Sequence, residues 1–375
     1  MIPDDLRSAL DRWVYPYCVK EISKTGNGLI NTTYLIETVK DSANESCDFI
    51  LQKINTAIFK DVDGLMNNIE KVTNYLRIKL VSQGIEDVSR RVLTIKYFCD
   101  DKGRHSYFKD RNGDCWRVYL KISNAKSFER MENSSMAELA GRAFGKFHES
   151  LSGFDASSLI EVLPGFHNTP MRIENFINKI ELDRVGRLSE VQEEVDFLLE
   201  RRERYSQVVK MGREGILPIR VVHQDTKFNN VLLDENNDIL CVIDLDTIMP
   251  EYICYDVGDA IRSGANTGDE DDQDLTRVSM DIEIFRGFVK GFIASTRNFI
   301  SEQEIKTIAQ GPLLLTYEQS VRFLDDYLDG DRYYRCNPEI SKHNLVRARA
   351  QIKLLQSMEE QYVKMCEIVE KEYLT

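Results

Sequence analysis

Hydrophobic and polar positions fall into two regimes along the chain. Up to about residue 122, short β-branched and aromatic runs alternate with polar breaks, and they predict strands at 19–22, 30–36, 49–55, 91–95 and 115–122. A short leading helix is expected over 4–17. Within the strand-rich part, Leu65, Ile69, Val72, Leu76 and Leu80 recur at helical spacing and predict a helix over 62–82. Beyond Ser123 the helical period dominates, over 133–151, 172–212 with a break near Gly186, 281–299, 302–329 and 343–374.

One stretch of the second part breaks that rule. Residues 219–246 contain three short apolar runs, at 219–222, 231–233 and 239–243, and the run from Asp234 to Asp238 is a turn signal. A strand, a polar loop and a β-hairpin are expected there. Residues 252–264 are expected to form a loop and turn. The fold class is therefore α+β in two lobes. Residues 1–123 would form a small sheet lobe with one or two helices, and 124–375 a larger, mostly helical lobe.

Composition narrows the function. The 375 residues are 42% hydrophobic and 30% charged, enough for two lobes with sizeable cores. The balance of 49 basic against 62 acidic residues leaves −13, which argues against nucleic acid or an anionic membrane as the main partner. A local pocket for ATP remains compatible with it. The N-terminal MIPDDLRSALDRW has no uninterrupted apolar core, and no apolar run reaches the ~20 residues of a membrane span. A cytoplasmic protein acting on small molecules, monomeric or weakly homo-oligomeric, is expected. The eight cysteines are scattered without a C-x-x-C pair, as for reduced structural thiols.

Candidate chemistry gathers in the exceptional stretch. His223, Asp225 and Asn230 stand in an H-x-D-x-x-x-x-N spacing, and Ile243-Asp244 closes the third run. Phosphoryl transfer needs a carboxylate to orient and deprotonate the attacking hydroxyl, a role that suits Asp225. Mg²⁺ takes oxygen ligands, usually one or two from side chains plus phosphates and water, which points to Asn230 and Asp244. Lys227 could neutralise charge on the transferred phosphoryl group. Near the N-terminus, Gly26 and Gly28 mark a hairpin tip whose amides could cradle phosphate, with Asn31 and Thr32 following. Taken alone that tip reads as an ordinary hairpin turn. Asp256-Val257-Gly258-Asp259 resembles the D-x-G-D element that stabilises the catalytic loop in small-molecule kinases, a resemblance that implies structural acceptor roles for Asp256 and Asp259.

This combination resembles the catalytic core of protein-kinase-like phosphotransferases. The chain is similar to the aminoglycoside-phosphotransferase superfamily of small-molecule kinases, and within it to the N-acetylhexosamine 1-kinases. The resemblance is carried by GNGLINTTYLI, FILQKINTAIF, WRVYLKI, FHNTPMRIENF, HQDTKFNNVLLD, VIDLDTIMPE, DVGDAIRSGA and FLDDYLDGDRYY. It implies a two-lobed protein-kinase-like fold. It also implies ATP- and Mg²⁺-dependent transfer of the γ-phosphoryl group to the anomeric hydroxyl of N-acetylglucosamine or N-acetylgalactosamine. Asp225 would then be the base on the sugar hydroxyl, Asn230 and Asp244 the metal ligands, and Asp246 a secondary candidate. Arg322, Tyr333 and Arg262 would belong to the sugar pocket. Kinases of other small alcohols and a nucleotide-binding pseudokinase are the alternatives.

Three positions depart from the family pattern. Gln52 stands where a phosphate-binding lysine is expected, and Lys53 beside it points to the opposite face of a strand. Glu70 is the candidate helix carboxylate that would face such a lysine. Ser263 replaces an aromatic residue that the family can carry beside the sugar, and Leu29 replaces a histidine at the loop tip.

Overall fold

The computed structural model describes residues 10, 12–13, 18–25, 30–39 and 47–375. Of the expected leading helix only Leu10, Arg12 and Trp13 fall among these, so that element lies outside the described residues. The chain divides into two compact units. The first takes in 1–126, 158–163 and 232–248, and the second the remainder.

The first unit is built on a six-stranded antiparallel sheet. Its strands are β1 (Cys18–Lys24), β2 (Thr32–Val39), β3 (Phe49–Ile54), β4 (Ile95–Lys96), β5 (Tyr107–Lys109) and β6 (Cys115–Leu120), ordered β1-β2-β3-β6-β4 with β5 also on β6. Alternation gives the sheet two faces. On one, Ile36, Phe49, Leu51, Trp116 and Val118 bury against Leu10, Trp13 and Phe98. On the other, Thr33, Gln52 and Arg117 stand in register across β2, β3 and β6.

Helix α1 (Val62–Ser82) starts at Asp61, whose carboxylate accepts the Gly64 amide at 2.9 Å. It buries Leu65, Ile69, Val72 and Leu76 of the expected stripe together with Met66, while Leu80 is only half-buried. Buried Asn68 donates to the carbonyls of Ile160 and Ile248 at 2.9 and 3.0 Å, which explains why those short segments join this unit.

Two elements differ from expectation. Residues 91–95 do not extend as a strand. Val88–Arg91 forms a helical turn closed by Arg91 on Asp87 four residues back, and pairing begins only at Ile95. Residues 252–264, expected as loop, contain helix α4 (Cys254–Gly264).

The second unit is mostly helical. Its other main helices are α2 (Ser134–Leu151), α3 (Thr169–Leu182), α5 (Ile282–Thr296), α6 (Gln310–Leu328) and α7 (His343–Leu374). Helices α2 and α5 touch backbone to backbone. A Cβ at Gly141 would sit 2.0 Å from the Phe288 carbonyl oxygen, and one at Gly291 2.0 Å from that of Glu138. The break between the expected 281–299 and 302–329 helices occurs at a capping box, Ser301 with Glu304. All eight cysteines are free thiols. Among the described residues no helix is long and apolar enough to cross a membrane.

Candidate active site

The polar loop lies between strands β7 (Arg220–Val222) and β8 (Val231–Leu233). Strand β7 pairs with β10 (Met249–Glu251), and β8 pairs with β9 (Ile239–Val242). A short polar segment cannot hold one geometry unless its amides are satisfied, and here α4 supplies the acceptors. Asp256 accepts His223 N and Gln224 N, each at 2.8 Å, and Asp259 accepts Thr226 N at 2.9 Å. The Thr226 hydroxyl donates back to the Asp256 carbonyl at 2.6 Å. This accounts for a helix where Asp, Gly and Asp discouraged one. Both carboxylates act outside the helix, and Gly258 lets α4 meet α6, since a Cβ there would lie 2.6 Å from the Gly311 carbonyl oxygen.

Asp256 is fully buried and its third donor is His148 Nε2 at 2.8 Å, from α2. His148 stands 108 positions before Asp256 in the chain, and only the fold brings the two together. Burial pushes the Asp256 carboxyl up, and the bond to and charge of His148, followed by His223, more than reverse this and hold it below the ordinary value. The clamp forces Gln224 into the left-handed region, φ 70°. That is an unfavourable conformation for a residue with a Cβ.

Within this loop the expected residues converge. Lys227 Nζ lies 2.7 Å from Asp225 Oδ1. Asn230 donates its amide nitrogen to the Asp225 carbonyl at 2.8 Å and to Asp225 Oδ2 at 3.2 Å. Arg262, on α4, reaches Asp259 and Glu270 at 3.1 Å each, so it joins the group through the same carboxylate that holds Thr226. Burial pulls the Lys227 ammonium down, while Asp225 and Asp259 more than compensate and leave it above the ordinary lysine value.

Arg322 and Tyr333 belong to a different group. The Arg322 guanidinium lies between the rings of Phe166 and Tyr334, 5.4 and 5.5 Å from their centroids, and donates to Gln319 at 3.1 Å. Tyr333 is 70% exposed with its ring edge-on to Tyr334. Asp326 fixes the turn that carries both tyrosines by accepting the amides of Arg332, Tyr333 and Tyr334 at 2.8–2.9 Å.

The remaining candidates lie in the first unit. Asn31 donates to Asp246 at 2.5 Å, and Gln52 donates to the Thr33 hydroxyl at 3.1 Å. Thr32 opens β2, and Asp244 turns out of β9 with φ 61°. Glu70 lies beside Tyr97, and the α1 side chain that meets the sheet at Arg117 is Met66. Gly26, Gly28 and Leu29 lie outside the described residues. Ser263, in the second unit, donates its hydroxyl to the Asp259 carbonyl at 2.9 Å.

Comparison with known proteins gives a consistent picture. A family model described as the phosphotransferase enzyme family matches residues 21–280. A microcompartment-associated aminopropanol kinase is similar in structure over 99% of this chain and 99% of its own, at 14% identity and a TM-score of 0.54. A choline/ethanolamine kinase family protein from Mesorhizobium loti matches over 99% and 100%, at 13% identity and 0.53. Choline kinase from Cryptosporidium parvum Iowa II matches over 95% and 94%, at 11% identity and 0.51. At such identities these likenesses establish a shared fold, and the architecture is the α+β, protein-kinase-like one expected from sequence.

Proposed function

The chain belongs to the phosphotransferase enzyme family, and from that premise we propose that it is an ATP- and Mg²⁺-dependent kinase acting on the anomeric hydroxyl of N-acetylhexosamines. The observation that carries the transfer chemistry is the clamped loop, with Asp225 flanked by Lys227 at 2.7 Å and Asn230 at 2.8 Å. Transfer forms a bond from the acceptor oxygen to the γ-phosphorus and breaks the bond to the ADP oxygen. The hydroxyl proton passes to Asp225. Lys227 offsets the negative charge of the phosphoryl group in flight. Mg²⁺, when bound, neutralises phosphate charge. Asn230 spends its amide nitrogen on Asp225, which leaves a carbonyl oxygen of the kind a hard cation accepts, and with Asp244 it would hold the ion.

A sugar acceptor is favoured over a cationic amino alcohol by the charge around Arg322. Arg172 is its neighbour. Burial lowers the Arg172 guanidinium, Glu318 opposes this, and the charge of Arg322 adds to the lowering. Two guanidiniums beside Phe166, with Glu318 offsetting one of their charges, disfavour an ammonium group and suit the hydroxyls and amide of a neutral sugar. The test is ADP release with Mg²⁺-ATP and a panel of N-acetylglucosamine, N-acetylgalactosamine, choline, ethanolamine and an aminoglycoside. Turnover confined to the N-acetylhexosamines supports the proposal; turnover confined to the amino alcohols refutes it. Asp225→Asn is expected to lower kcat by about 100-fold or more, the usual scale of general-base loss, while ATP binding persists. A variant within a few-fold of the parent would remove Asp225 from the role of base.

A further inference from the structure

Gln52 leaves its face of the third strand without a positive charge, and the structure provides one from the neighbouring strand. Arg117 is the direct cross-strand partner of Gln52, so the two side chains share a face. Gln52 Oε1 accepts both Nε and Nη2 of Arg117, at 3.0 and 2.8 Å, while Gln52 Nε2 is tied to Thr33. Arg117 Nη2 also pairs with Asp246 at 2.5 Å, and the other Asp246 oxygen receives Asn31 at 2.5 Å. The guanidinium is 1% exposed and Asp246 is 4% exposed. Lys53, next to Gln52, goes to the opposite face and pairs with Asp114.

A fully buried ion pair is a poor device for stability alone, because well-packed apolar residues of similar volume often serve as well or better. This pair instead joins three parts: Asn31 immediately before β2, the third strand (Gln52) and the turn bearing Asp244 and Asp246. Asp244 also acts electrostatically on Arg117. Without the guanidinium, two carboxylates on one turn would confront an incoming triphosphate with like charge.

We propose that Arg117 is the residue that prepares the first unit for nucleotide, holding the Asp244–Asp246 turn in place and offsetting its charge from the position opposite Gln52. The proposal rests on the kinase reading above. Arg117 acts through Asp246 and is thus a positioning residue, with the triphosphate of ATP as the ligand it serves.

The test moves the charge across the strand pair. Arg117→Gln, measured below its melting temperature, is expected to bind a non-hydrolysable ATP analogue about 10- to 100-fold more weakly, the scale of one unit charge lost several ångströms away. Acceptor KM stays near the parental value. Adding Gln52→Lys returns a cation to the same face and restores most of the lost affinity. If Arg117→Gln does not fold, Arg117→Lys replaces it; the ammonium lacks the planar fork that grips Gln52 and Asp246 together, so binding weakens several-fold. Binding of the analogue by folded Arg117→Gln or Arg117→Lys within about twofold of the parent overturns the assignment. So does a folded Gln52→Lys/Arg117→Gln pair with no recovery. A parental protein that binds no nucleotide refutes the kinase reading itself, a distinct outcome.

Discussion

Replacing Asp256 by Asn keeps the shape of the loop clamp and removes half of its chemistry. The carboxylate accepts His223 N and His148 Nε2 on one oxygen and Gln224 N on the other, each at 2.8 Å. A carboxamide keeps one acceptor and turns an NH₂ toward the remaining donors. In a fully buried site each group left unsatisfied costs about 1–3 kcal/mol, so two give about 2–6 kcal/mol. Denaturant unfolding monitored by tryptophan fluorescence and by circular dichroism measures it. The same substitution has a pH signature. The folded-state pKa of Asp256 lies below its unfolded value, so its contribution is fully present above about pH 4 and is lost as pH falls through the folded value. Asp256→Asn should therefore lose stability less steeply on acidification than the parent. Because the clamp sets the position of Asp225, kcat should fall by about 100-fold, the effect of displacing a catalytic group by roughly 1 Å. A loss of stability under about 1 kcal/mol with unchanged kcat would refute the clamp.

Two further substitutions test separate parts of the account. Arg322→Ala should raise the acceptor KM by about 10-fold or more, the loss of one charged hydrogen-bonding group, with ATP affinity unchanged; a selective effect on ATP would take Arg322 out of the acceptor pocket. Gly258→Ala places a Cβ 2.6 Å from the Gly311 carbonyl oxygen, which is backbone and cannot rotate away. It should cost about 1–3 kcal/mol by overpacking, read from the denaturation midpoint; a neutral effect would show that α4 and α6 can separate freely.

How far the fold was legible depended on whether a segment carried its own signal. Helix α1 and the β8–β9 hairpin were readable because apolar period and turn residues agreed locally. Helix α4 was not, because Asp256, Gly258 and Asp259 are poor interior helix residues chosen for distant partners: two loop amide clusters and a neighbouring helix. Residues 91–95 look like a strand by composition, but Arg91 is drawn to Asp87 and to the Ile239 carbonyl. At the candidate site, Asp225, Lys227 and Asn230 could be grouped from spacing since they share one short loop. His148 and Arg117 could not. One joins Asp256 from a helix 108 positions earlier, and the other is recognisable only once β3 and β6 are in register. The missing charge at Gln52 was visible in sequence; its compensation across the sheet was not.

The central claim is transfer to an anomeric oxygen, and the product decides it most directly. Incubation with Mg²⁺-ATP and N-acetylglucosamine, followed by phosphorus NMR with proton coupling, should yield ADP and a phosphate monoester coupled to the anomeric proton. A phosphate carried on any other hydroxyl, or ester formation seen only when an amino alcohol replaces the sugar, would contradict the account.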